Sequence, residues 1–270
     1  MGRYGKALGR FWAAALAAEM EYPLNFLVEL LAVVGNLAGS LFVVSLFYGG
    51  GTAGGPAAGA GLGGWSWEAA LVVLGVHTLM DGFASTLLHP NLSRIVSHVQ
   101  NGTLDFVLLQ PIDSQFWLSL RTFSPWGLPG ILAGLGLIGW AAGRAGTPAD
   151  PAILLPAALM LLAGAVLLYS LWFVLAATSI WFVKVWNATE VLRSLMAAGR
   201  FPIGAYPAPL RVVFTFVLPV AFLTTVPAQA ILGRASSAWL GAGLAVAAAA
   251  LLASRAFWRF ALRHYTSASS

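Results

Sequence analysis

The sequence predicts an all-α integral membrane protein with six transmembrane helices and an N-terminal interfacial amphipathic helix. Three observations carry that expectation. Charged residues make up 9% of the 270-residue chain, against roughly a quarter in soluble domains. Apolar residues reach 59%. Several apolar stretches also have the ~20 residues that a helix needs to cross ~30 Å of hydrocarbon. Fourteen basic and nine acidic side chains cannot cover a soluble surface of this size. The same hydrophobicity excludes disorder, and the lack of cysteine excludes a disulfide scaffold and thiolate metal sites.

The whole chain, 1–270, reads as one transmembrane domain. Residues 1–22 form its interfacial helix, because Arg3, Lys6 and Arg10 alternate at helical spacing with Tyr4, Leu8, Phe11, Trp12 and Leu16. Glu19 and Glu21 stand where a signal peptide would need its small-residue cleavage site. The first span covers 24–48, opened by Pro23 and closed by a glycine-rich tract at 49–64 that serves as a flexible connector. The second covers 67–88 and stops at His89-Pro90. The third covers 117–142, the fourth 152–183 and the last 238–260. Trp65, Trp67, Trp117 and Trp140 lie near these ends, as interfacial anchors do.

Residues 187–233 admit two readings. Hydropathy alone gives an interfacial helix at 187–200 and a span at 209–232. Alternatively 187–203 is a short polar span, and Pro207 to Gly233, broken by Pro209, Pro219 and Pro227, dips into the outer leaflet and returns. Either way the chain crosses six times. Arg3, Lys6, Arg10, Arg94, Arg121, Lys184, Arg255, Arg259 and Arg263 then share one side, with only Arg144 and Arg234 clear on the other. This bias places both termini in the cytoplasm. The basic residues are scattered singly, so they give no nucleic-acid surface.

Chemistry-bearing motifs are sparse. No phosphate-binding loop is present, and Lys6 and Lys184 are the only lysines. Neither a metal-ligand spacing nor a catalytic triad can be placed, so no catalytic residue, metal or cofactor is expected. Three ionisable residues fall within the spans: Glu29 near the inner end of the first, from where its side chain can reach the interface, and His77 and Asp81 near the middle of the second. His77 and Asp81 are four apart and share a helix face. They either satisfy each other structurally or form a polar point on a transport route. The second possibility sustains a rival reading, a proton-coupled secondary carrier. Gly35-x-x-x-Gly39 and Gly130-x-x-x-Gly134 offer weak signals for close helix approach.

The largest cytoplasmic loop, 89–116, carries two apolar patches. Leu92, Ile95, Val96 and Val99 form a stripe at i, i+3, i+4, i+7, and Asn101-Gly102 ends that helix. Leu104, Phe106, Val107, Leu108 and Leu109 form the second patch, stopped by Pro111. The stripe either rests on lipid or fits a groove on a soluble subunit.

Residues 101–112 (NGTLDFVLLQPI) resemble the G-x-L-D-x-x-L-x-K/Q-P signature of permeases of type-2 ABC export systems, some of them viologen-exporter-like. Residues 200–211 (RFPIGAYPAPLR), 216–222 (FVLPVAF) and 226–228 (VPA) resemble a second block of that family. The resemblance spans essentially the whole chain. It departs at Gln110, where lysine is common. It implies a permease of an ATP-driven exporter in the bacterial plasma membrane, paired with a second copy or a sister permease. ATP and Mg would be bound by a separate ATPase subunit docking on the 89–116 loop, where Leu92, Ile95, Val99, Gly102, Leu104, Asp105, Leu108 and Pro111 are the candidate coupling residues. It also favours the re-entrant course of 207–233, with Pro207, Pro219 and Pro227 at an outer gate.

Overall fold

The computed structural model describes residues 9–10, 12–14, 16–17, 23–48, 61–182 and 192–266, and every regular element among them is helical. Five rods are long and apolar enough to cross a membrane: Leu27–Tyr48, Trp67–Gln100, Pro125–Arg144, Pro151–Ile180 and Ser237–His264. They contain α1 (Pro23–Tyr48), α2 (Trp67–Phe83) with α3 (His89–Gln100), α6 (Leu128–Arg144), α7 (Pro151–Ala177) and α10 (Ser237–His264). Two short helices, α4 (Leu104–Leu108) and α5 (Ser114–Leu120), link α3 to α6.

The second rod does not stop at His89-Pro90. It continues through a π turn, Ala84–Leu88, into α3 and reaches Gln100. Pro90 has no N–H to give the Thr86 carbonyl four residues back, which is why a proline normally ends a helix. Here that carbonyl accepts instead from Ser124 N at 3.0 Å. The Asn91 side chain donates to Leu87 O (2.7 Å) and Thr122 O (2.6 Å), and its Oδ1 accepts from Thr122 N at 2.8 Å. A chain segment 31 residues away therefore completes the ladder that proline opened.

That same segment moves the start of the third rod. Ser124 precedes Pro125 and is extended (φ −106°, ψ 121°), as pre-proline sterics favour. Trp117 therefore belongs to α5, and the third rod begins at Pro125 rather than at 117. Arg121 places its guanidinium 4.3 Å over the Trp117 ring.

α2 is the central helix, buried along most of its length, and α6 runs antiparallel to it at unusually close range. A Cβ on Gly82 would meet Ile131 N at 2.5 Å, and one on Gly134 would meet Leu79 N at 2.5 Å. Backbone touches backbone at both points. Gly130 lies in the same seam, whereas a Cβ on Gly35 or Gly39 would meet nothing within 4 Å. Of the two small-residue motifs, one is a packing seam and the other is not.

α7 and α10 pack in parallel, with Gly243 against Met160 and Trp258 edge-on to Phe173. Pro23 and His264 consequently lie at one end of the bundle, here termed the base. Arg94, Arg121, Arg255, Arg259 and Arg263 also gather there, while Arg144 and Arg234 lie at the opposite end, the top. The helical residues 9–10, 12–14 and 16–17 reach the base as well, where Trp12 donates Nε1–H to Leu120 O at 2.9 Å. The rest of the expected 1–22 helix, most of the 49–64 tract, and residues 183–191 lie outside the described residues.

At the top, Tyr48 donates its hydroxyl to Trp65 O (2.8 Å) and accepts from Leu62 N (3.2 Å), clasping α1 to the entry of α2. Gly63, in the left-handed region at φ +59°, presses its backbone on Gly204.

Candidate functional site

Three regions hold the residues that the sequence singled out. The first is the base loop. α3 ends where Gly102 takes φ +66°, with Gly102 N bonded to Val99 O and Thr103 N to His98 O. Leu92, Ile95 and Leu104 are each 0% exposed, and Val99 is half-buried against the same core. Their apolar stripe closes the chain's own interior, so Leu92, Ile95 and Leu104 cannot present a docking face. The exposed apolar groups are Phe106 (67%), Leu108 (38%) and Leu109 (80%), beside exposed Gln110 and Pro111. Asp105 is half-buried in the first turn of α4. Leu104 and Val107, one helical turn apart, face inward while Phe106 and Leu108 face outward, an alternation that the apolar run 106–109 conceals.

α5 fixes this loop to the bundle through polar contacts that the sequence did not reveal. Asp113 caps α5 by accepting from Phe116 N at 3.0 Å. Its carboxylate also takes a two-pronged contact from Arg255, with Nη1 to Oδ1 at 2.8 Å and Nη2 to Oδ2. The guanidinium holds the Asp113 carboxyl below its ordinary range. Gln115 donates to Tyr169 OH at 3.1 Å and to Ser254 Oγ at 3.4 Å, and Trp258 donates to Ser114 Oγ at 3.0 Å. Residues from α5, α7 and α10 meet here across more than a hundred positions of sequence.

The second region is the membrane-depth polar group. His77 is 6% exposed, and its Nε2 accepts from Arg200 Nε at 3.3 Å. The pairing of His77 with Asp81 is thus replaced by a pairing of His77 with Arg200. Asp81 instead lines a cavity with Glu29, Asn36, Thr78, Ser85 and Arg193. Arg193 and Arg200 were missed as site residues because their segment reads as interfacial from charge alone. A lone arginine just before an apolar, proline-rich stretch was the available signal.

The third region is 192–233. Arg193 lines a groove with Ser85 and His89, Arg200 meets His77, and Ile203–Ala205 lies against Leu62–Gly64. Residues 192–205 therefore climb alongside α2 from the base half to the top, the course of the short polar span. Then α8 (Ala208–Val212) with its π extension to Val217, and the segment Ala221–Ile231 that ends in α9 (Val226–Ile231), form a pair bent by 78°. Pro207 caps the first arm, Pro219 sits at the bend, and Pro227 falls in the first turn of α9. Pro207 and Pro219 occupy places where no helical N–H is needed, whereas Pro227 falls inside the second arm, just after its π turn passes into α9. Gly233 lies against Ile153, in the first turn of α7, so the pair returns to the end it left. Its second arm is buried against α7, with Leu223 at 2% and Ala228 at 0%. Ile203 N donates to Thr225 Oγ1 at 3.2 Å.

Among the described residues no group of three or more potential ligand side chains could hold a metal ion. The family model for ABC-2 family transporter proteins matches residues 34–269 of the chain. No curated protein and no solved structure matches it.

Proposed function

The chain belongs to the ABC-2 transporter family, and from that premise we propose that it forms an export path as a dimer, driven by separate ATPase subunits that dock at its base. As an ABC-2 permease it is the multi-pass membrane component of an ABC transporter, a non-catalytic subunit whose family works with an ABC ATPase. The family match across 34–269 is the observation that carries the reading. The finer assignments concern how this chain would be coupled and oriented.

The base is the cytoplasmic end, because Arg94, Arg121, Arg255, Arg259 and Arg263 gather there. The membrane is the bacterial plasma membrane, and the exporter belongs to the viologen-exporter-like branch that the 101–112 block resembles. The ATPase docks on Phe106, Leu108 and Leu109, the apolar groups that α4 turns outward. A force applied there reaches α7 and α10 through Asp113–Arg255 and Gln115–Tyr169. The hairpin from Pro207 to Gly233 lies at the outer end of the path.

The test contrasts two leucines of one loop. Burying a leucine contributes roughly 1.5–3 kcal/mol, and placing a carboxylate in such a contact costs more. Leu109→Asp should leave insertion and thermal stability unchanged, yet abolish co-purification with the ABC ATPase of the native membrane and ATP-dependent export in vesicles. Leu104→Asp should instead unfold the loop. Normal export by Leu109→Asp, or export without ATP when only a proton gradient is supplied, would overturn the reading in favour of a carrier.

A further inference from the structure

The polar cavity beside α2 goes beyond the transport reading and does not depend on ATP-driven export. It measures about 120 Å³ and shares Glu29, Ser85, Trp126 and Arg193 with a wider groove of about 410 Å³ that runs toward His89. Three walls contribute charge. Glu29 comes from α1, Asp81 from α2, and Arg193 from the short polar span. Neither Glu29 nor Asp81 forms an ion pair with Arg193. His77, also in the cavity wall, is 6% exposed, and its Nδ1 has no hydrogen-bond partner.

Unpaired charge at membrane depth is costly and calls for a counter-group. The two carboxylates and one guanidinium sum to −1, so a lone cation would balance the net charge but leave Arg193 facing no anion, and a lone anion would leave Glu29 and Asp81 facing no cation. A ligand carrying both signs answers both walls. The remaining wall is apolar, lined by Val33 and Leu37 of α1, whose outward face is largely exposed. That wall suits a hydrocarbon tail beside a charged head.

We propose that this groove binds a zwitterionic amphiphile, its positive group against Glu29 and Asp81 and its negative group against Arg193. Such a molecule is either a resident bilayer phospholipid or a free amphiphile entering from the membrane.

The experiment uses the full chain in maltoside detergent, without ATPase or ATP, and three probes with the same twelve-carbon tail: dodecylphosphocholine, dodecyltrimethylammonium and dodecyl sulfate. Dodecylphosphocholine should bind more tightly than either single-charge probe, on the order of 10-fold. Asp81→Asn should weaken the zwitterion and the cation, while Arg193→Gln should weaken the zwitterion and the anion. Unfolding midpoints identify any variant that fails to fold. In that event Glu29→Gln, on the sparsely packed α1, serves in place of Asp81→Asn. Native mass spectrometry separates the sources. A zwitterionic phospholipid retained by the wild type and lost in Arg193→Gln marks a resident lipid, whereas a lipid-free chain that takes up the probe marks a free amphiphile. Either single-charge probe binding as tightly as dodecylphosphocholine, or variants that bind all three unchanged, would overturn the proposal. Loss of ATP-driven export would leave it untouched.

Discussion

Asp113 shows how much of the base depends on single side chains. It caps α5 and holds Arg255 of α10, two elements that no local signal associates. Because the folded state depresses its pKa, its contribution is fully present above the ordinary carboxylate value of about 3.9 and fades as pH falls through the lower native value. We expect a small stability difference between the wild type and Asp113→Asn at pH 7 that shrinks with salt, since both side chains are well exposed. Melting curves should converge as pH falls below the lowered native value. A gap that persists in acid would assign the effect to something other than ionisation. Residue-scale partnerships of this kind were the least legible part of the sequence. His77 finds Arg200 across 123 positions, and Asn91 ties the proline break to Thr122. Neither pairing leaves a trace in periodicity or spacing, because both are made by tertiary contact.

At the scale of elements, legibility followed apolar length. α1, α7 and α10 could be placed from the sequence because predominantly apolar stretches of more than 20 residues have one stable arrangement in lipid. The rule that proline ends a helix misplaced the second rod, since a distant amide supplied the missing hydrogen bond. A charge-poor stretch at 117–124 then extended the third rod too far. The glycine seam between α2 and α6 was only half visible. Gly130 and Gly134 formed a recognisable motif, but their counterparts Gly75 and Gly82 are seven apart and matched none. Gly82→Ala should lower stability by about 1–3 kcal/mol, the usual range for overpacking, because the nearest atoms are backbone and cannot rotate away. Gly35→Ala, with open space around it, should change nothing measurable. Thermal unfolding of the two purified variants in the same detergent compares them directly. Equal midpoints would mean that the two helices can part without loss.

At the scale of the whole molecule, the course of 192–236 decides which segment makes the fifth crossing. Hydropathy favours a crossing at 209–232, since that stretch is the more apolar. The contacts argue for a return. Ile203–Ala205 lies on Leu62–Gly64, and Gly233 lies on Ile153, which begins α7 just after the short loop from α6. Both ends of the bent pair therefore sit at the top. Broken backbone of this kind is stable in a membrane only where protein covers it, and the buried arm from Ala221 to Ile231 meets that condition. The climb past Arg193 and Arg200 then supplies the crossing, through a segment too polar to read as a span from hydropathy. Single cysteines at Ala208 and Ser236, both exposed, make the distinction. In intact cells an impermeant thiol reagent should label Ala208→Cys and Ser236→Cys alike, and should reach Ser97→Cys at the base only after permeabilisation. A crossing between 208 and 236 would protect one of the first two while exposing the other. That result would move Arg200 away from His77 and return the short polar segment to the interface.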